Sequence, residues 1–83
     1  MYYIYLLLCS DNSLYTGITN NLEKRITLHS SGKGSKYVRS RLPFKLIYTE
    51  GKEDKNEALK REHEIKSWTR AQKIKNLKLT TSN

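Results

Sequence analysis

The chain has one cysteine, one proline, one tryptophan, one phenylalanine and four glycines, and only eight acidic residues against sixteen Lys and Arg. Cys9 alone can form neither an internal disulfide nor a cysteine-based structural zinc site, the usage expected of a reducing compartment, here the cytoplasm. The apolar run 2–9 is far too short for a membrane span. It is also too rich in tyrosine, and too bare of preceding basic residues, for a signal-peptide core, so no membrane partner is expected. No internal repeat is present, and the Gly/Ser stretch 30–36 is too short to be a low-complexity segment.

What is present fits one small folded domain spanning 1–83. At 36% hydrophobic and 29% charged, the composition is that of a globular protein with a limited core. A formal charge of +8 and a pI near 9.8 point to a polyanionic partner, nucleic acid above all.

Residues 2–9 (YYIYLLLC) are apolar almost throughout, as in a strand buried on both faces, and 14–19 (LYTGIT) is the natural hairpin partner across Asp11-Asn12-Ser13. Asn20, three residues before Glu23, reads as the cap of a helix through about His29, and 30–41 reads as a basic loop. Pro43 can only open or edge a strand, so Phe44 to Gly51 forms the third. Asp54 with Glu57 opens a second helix to about Ser67, and Thr69 with Gln72 a third, with Ala71, Ile74 and Leu77 as its apolar stripe. The fold class is α+β: a small three-stranded antiparallel sheet flanked by helices, in the order ββαβαα.

Polar side chains fall on faces that should be apolar. In the first helix Leu22 and Ile26 set the inward stripe, with His29 between their directions and Arg25 one position aside; in the second, Glu62 lies within the stripe of Ala58, Leu59 and Ile65. Each is open to a structural reading, as a Glu62–Arg25 ion pair or as long side chains reaching the rim. Together with Tyr5 and Tyr15 they hold the parts for phosphodiester hydrolysis: a proton acceptor, a cation on the developing charge, and a carboxylate for a metal. Magnesium takes only one or two protein carboxylates, so a lone Glu62 is adequate, and Arg25 can grip a phosphate with its fork of donors.

Whether Tyr5 and Tyr15 share a face depends on register. Pairing Cys9 with Leu14 separates them, whereas pairing Ser10 with Leu14 aligns them and sets Gly17 opposite Leu7; the second is expected. In the basic loop, Lys33, Lys36, Arg39 and Arg41 are the candidate phosphate contacts, and Tyr37 could stack on a base or pack on the third strand. The glycines there do not make a phosphate-binding nucleotide loop, because G-x-x-x-x-G-K-[ST] is absent, so no nucleotide cofactor is expected. His63 points away from Glu62 and reads as exposed, and Trp68 as a core or edge anchor.

The ordered set resembles the GIY-YIG nuclease family, in particular its short stand-alone bacterial members. Tyr3-Ile4-Tyr5 is similar to the first family triplet, with Tyr3 in place of its glycine, and Tyr15-Thr16-Gly17 to the second; Arg25, His29 and the helical Glu62 follow. The resemblance covers nearly the whole chain. It implies a metal-dependent endonuclease acting on nucleic acid, DNA foremost, in DNA repair or processing. By the same resemblance Tyr5 is general base or its hydrogen-bond partner, His29 assists it, Tyr15 orients water or phosphate, Arg25 stabilises the transition state, Gly17 shapes the site, and Glu62 holds Mg²⁺ or Mn²⁺. The family's asparagine after the glutamate has only Asn76 as a loose counterpart and is not carried over. The rival expectations are a non-catalytic DNA- or RNA-binding module on the same scaffold, and a basic adaptor for an acidic protein partner.

Overall fold

The computed structural model describes residues 1–80. In chain order the elements are β1 (Tyr2–Cys9), β2 (Leu14–Thr19), α1 (Leu22–Ser30), α2 (Lys36–Arg39), β3 (Phe44–Lys52), α3 (Lys55–Lys66) and α4 (Arg70–Leu77). The three strands form one antiparallel sheet in the order β2-β1-β3. β1 is central and covered on both faces, which explains its near-continuous apolar run: Ile4 to Cys9 are all buried.

Successive β1 side chains enter two different cores. Tyr5 and Leu7 pack with Val38 of α2, with Leu22 and Ile26 of α1, and with Tyr15, Leu42 and Phe44. Ile4 and Leu6 pack with Ala58 and Ile65 of α3, and with Ile18, Tyr48, Trp68, Leu77 and Leu79. The sheet is thus a middle layer, with α1 and α2 on one side and α3 and α4 on the other. Trp68 is an anchor of the second core, and His63 is exposed.

The hairpin register differs from expectation by two residues. Leu8 pairs with Leu14, Leu7 with Tyr15, and Tyr5 with Gly17, so Gly17 faces Tyr5 rather than Leu7. The loop still has three residues, but they are Ser10-Asp11-Asn12: Cys9 N donates to Ser13 O at 2.9 Å and Asn12 takes the left-handed conformation at φ 67°. Asn tolerates that conformation, and the Asp11 carboxylate accepts from Ser13 N at 3.0 Å, which fixes the turn one position earlier. Because the shift is even, Tyr5, Tyr15 and Gly17 remain on one face.

Three further details depart from the sequence reading. The cap of α1 is Asn21, not Asn20, its side chain accepting from Lys24 N. The basic segment 30–41 is not wholly loop: Ser35 caps the one-turn helix α2, held down by Val38, its single fully buried apolar side chain, so the order is ββααβαα rather than ββαβαα. In α4 the buried residue is Lys73, while Ala71 is exposed. The Asp54 cap and the Thr69–Gln72 capping box form as expected.

Two contacts set where α3 lies. Arg61 Nε donates to the Glu50 carboxylate on β3 at 2.9 Å, and beyond the helix Arg70 Nε donates to the carbonyl of Asn12 in the hairpin turn at 2.7 Å. At its other end Lys55 shares a groove with Thr19 and Asn20. α3 therefore packs across the sheet, against β2 and β1.

Candidate active site

Tyr5 is the centre of the buried polar chemistry. Its hydroxyl lies 2.8 Å from His29 Nε2, in a hydrogen bond with both residues buried. The ring of Tyr15 packs against both partners, with centroids 6.3 Å from Tyr5 and 5.4 Å from His29. Gly17 makes this possible: a Cβ there would stand 2.3 Å from Tyr5 Cζ and 2.4 Å from its hydroxyl oxygen, so the phenol lies directly on the glycine backbone. Gly34 does the same beneath the imidazole, where a Cβ would meet His29 Nδ1 at 2.6 Å. That role could not be read from a glycine in a basic segment, since nothing local marks it.

Burial sets the protonation of the pair. Desolvation, with the neighbouring Tyr15 phenol, pushes the Tyr5 hydroxyl up to about 12 against the favourable pull of the Arg25 guanidinium. Burial, and secondarily Arg25, pulls His29 below the usual histidine range, so it is neutral at pH 7. Its Nδ1 has no hydrogen-bond partner among the described residues. The site thus holds a phenol with its proton on, hydrogen-bonded to Nε2 of a neutral imidazole.

This has a measurable consequence for stability. With the folded-state value depressed, the unfolded chain takes up a proton near pH 6.5 while folded His29 does not. Its contribution is therefore fully present above about pH 6.5 and lost as pH falls toward the folded value, with a slope of at most about 1.4 kcal/mol per pH unit. Urea melts between pH 7.5 and 5 should show this decline, and His29→Gln should flatten it; an unchanged slope in the variant would refute the assignment.

Glu62 enters from the other layer. It lies on the α3 stripe with Ala58 and Ile65, which pack on Ile4 and Leu6, and its charge still acts on the Tyr5 hydroxyl, helping to hold the proton on. Tyr5, Tyr15 and His29 come from one layer with Arg25 of α1, Glu62 comes from α3 in the other, and the Glu62 charge reaches the Tyr5 hydroxyl. The Glu62 side chain is 8% exposed and its ion-pair partner is Lys66 at 3.3 Å, not Arg25. β2 is an edge strand, and a groove of about 420 Å³ opens at its end, lined by Tyr2, Ile18, Thr19, Asn20, Arg25 of α1 and Lys55 of α3. The two layers therefore meet at the open edge of β2, where Arg25 and Lys55 give the groove a positive charge.

The donor set near Glu62 suits one kind of ion. Among the described residues no three His, Cys, Asp or Glu side chains gather as a metal cage. A single buried carboxylate fits magnesium or manganese, which keep most of their shell as water and phosphate oxygen.

Lys33, Lys36 and Arg39 are exposed on the α1–α2 side. Arg41 is committed elsewhere: Nε donates to Asp11 at 2.8 Å, Nη1 to the carbonyl of Tyr37 at 3.1 Å, and the guanidinium lies over the Tyr37 ring at 3.8 Å. It latches the α2 segment to the hairpin turn. Tyr37, 38% exposed, stacks on Tyr15 rather than on β3, linking the basic segment to the buried tyrosines.

The family model described as the GIY-YIG catalytic domain matches residues 1–75. The chain is similar to the UPF0213 protein CPE1444 of Clostridium perfringens, 58% identical over 74 residues that make up 89% of this chain and 80% of that one. It is 51% identical to the UPF0213 protein SH2523 of Staphylococcus haemolyticus, again over 89% of this chain and 90% of the relative. Among solved structures, the solution NMR structure of the protein EF2693 from E. faecalis has a TM-score of 0.67 at 46% identity, covering 93% of this chain and 82% of that one. The UPF0213 protein BH0048 from Bacillus halodurans, also solved by NMR, gives 0.63 at 43% identity, over 94% and 84%.

Proposed function

The chain belongs to the GIY-YIG family, and from that premise we propose that it is a divalent-metal-dependent endonuclease hydrolysing phosphodiester bonds of nucleic acid, DNA foremost, at the open edge of β2. The observation that carries this reading is the buried Tyr5–His29 hydrogen bond of 2.8 Å beside Arg25, a proton-accepting pair next to a phosphate-binding cation. With its proton held at neutral pH, Tyr5 takes one from the attacking water only by passing its own to His29 Nε2. Tyr15 fixes the orientation of both rings. Arg25, at the groove, offers its forked donors to the charge that develops on the phosphate. Glu62 is the residue that would hold Mg²⁺ or Mn²⁺, and the ion when bound supplies Lewis-acid polarisation of the phosphate.

Lys33, Lys36 and Arg39 track the flanking backbone, while Arg41 supports them through its latch to Asp11. A role in DNA repair or processing in the cytoplasm is consistent with the lone, buried, unpaired Cys9. A second reading, a nucleic-acid binder without turnover, is favoured by one observation: Glu62 already carries a counter-ion in Lys66. The two separate on incubation with single-stranded, duplex and branched DNA and RNA, with and without Mg²⁺ or Mn²⁺. The nuclease cleaves at least one substrate only with metal, and Glu62→Ala abolishes cleavage while binding survives. Binding to every substrate with no metal-dependent product would leave the binder.

A further inference from the structure

The groove at the end of β2 rests on two capped helices. On one wall Thr19 ties the strand to the start of α1: its hydroxyl oxygen accepts from Asn21 N at 3.1 Å, and its hydroxyl lies 3.2 Å from the Asn21 carbonyl, to which it donates. On the other wall Asp54 caps α3, accepting from Glu57 N at 2.8 Å, which fixes the backbone from which Lys55, the first residue of that helix, extends. Between them Ile18 packs into the core beneath α3.

The lining of this groove carries two cations and no acid: Arg25 from α1 and Lys55 from α3, with Tyr2, Ile18, Thr19 and Asn20. Neither cation has an ion-pair partner among the described residues, whereas Lys52 and Arg61 are paired with Glu50, and Arg41 with Asp11. The acids nearest Lys55 in sequence do not neutralise it there, since Asp54 serves as the cap and neither Glu53 nor Glu57 lines the groove. Two like charges in one concavity focus a positive field, and the N-terminus of α3 adds to it. A bound anion relieves that repulsion. At about 420 Å³ the groove falls in the size range of sites that hold small ligand groups. Arg25 is half-buried and its charge also acts on the Tyr5 hydroxyl, so an anion held here lies beside the proton-accepting pair.

We infer that Lys55 is the second cation of the phosphate site, gripping with Arg25 a single backbone phosphate of the bound nucleic-acid strand across the open edge of β2. Arg25 supplies a forked pair of donors and Lys55 a point charge on a flexible stem. The phosphate then bridges α1 and α3, the helices that bring Arg25 and Glu62 from the two layers. This rests on the nuclease reading in one respect, that the polyanion entering the groove is a nucleic-acid strand.

The test follows binding of a short DNA duplex in EDTA by fluorescence anisotropy across a salt series. Lys55→Met, which preserves side-chain length at an exposed position, should lower the slope of log affinity against log salt by about 0.9, and weaken binding roughly five- to tenfold at about 0.1 M salt. Lys60→Met makes the same charge change on the same helix, but beside Leu59 and His63 in a different groove, and should leave the slope unchanged. In ¹⁵N-labelled protein the Arg25 Nε–Hε signal should move on addition of the duplex, reaching a different saturated position in Lys55→Met and the original one in Lys60→Met. An unchanged slope in Lys55→Met, an equal loss in Lys60→Met, or an Arg25 signal that DNA does not move would overturn the inference. A lowered slope with the Arg25 end-point unaltered would put Lys55 on another phosphate and overturn the shared grip. Both effects present, with no metal-dependent product from any substrate, would leave the phosphate site standing and remove the nuclease; no salt-sensitive binding by the unaltered protein would remove both.

Discussion

Gly17→Ala is expected to destabilise the domain by about 1–3 kcal/mol or more and to remove the proposed nuclease activity with it, although the change adds a single methyl group. The added Cβ would stand 2.3 Å from Tyr5 Cζ, a distance no relaxation of side-chain rotamer alone can absorb. Tyr5 cannot retreat, because its ring is fully buried and its hydroxyl is held by His29 at 2.8 Å. Backbone strain is not the cause; what the position demands is space, since Gly17 is the direct cross-strand partner of Tyr5. For so small a domain, a loss of this size is a large part of its total stability. Urea unfolding gives the magnitude, and a second substitution supplies the control: Tyr5→Leu shortens the opposing side chain, so Gly17→Ala should cost much less in that background than in the native one. Additive costs would show that the methyl group clashes with something else.

Tyr5→Phe is expected to reduce the proposed metal-dependent cleavage by about 10²–10⁴-fold, the usual weight of a positioned proton-transfer group, while the proposed DNA binding stays near its original affinity. Removing one oxygen breaks the only hydrogen bond that the His29 ring makes among the described residues, where its Nδ1 is already without a partner, so the imidazole is left buried with neither nitrogen satisfied. A stability loss of about 1–3 kcal/mol should accompany the loss of rate. Tyr15→Phe is the comparison: its ring contacts remain, so it should leave the Tyr5–His29 bond intact, which the imidazole ¹⁵N resonances of His29 report. Cleavage by Tyr5→Phe at the original rate would remove the phenol from the proton path and pass that duty to His29 or to solvent.

The elements were legible because each carries a local signature. Side-chain caps at Asp54 and Thr69, the continuous apolar stretch of β1 and the strand-opening Pro43 act over a few residues, and those few residues are all the physics needs. The inward direction of His29 and Glu62 was equally readable from helical periodicity, and so was the matched parity of Tyr5 and Tyr15, which survives any even error of register.

Other features depended on contacts between distant segments. The hairpin register turned on which residue of the turn would take the left-handed conformation, and Asn12 took it while Arg70, far along the chain, settled on its carbonyl. The use of Gly34 as the floor for an imidazole, the latching of Arg41 to Asp11, and the turning of Lys73 rather than Ala71 into the core have no local signal, because each requires a partner that only the packed layers supply. The sequence by itself determined which chemical groups are present and which way each points from its own strand or helix. Only the tertiary structure decided that the helix carrying Glu62 packs on the opposite side of the sheet from α1, because the face of the sheet a helix covers is chosen by which core its apolar stripe fills, Ile4 and Leu6 for α3, and not by the polar residue carried along with it.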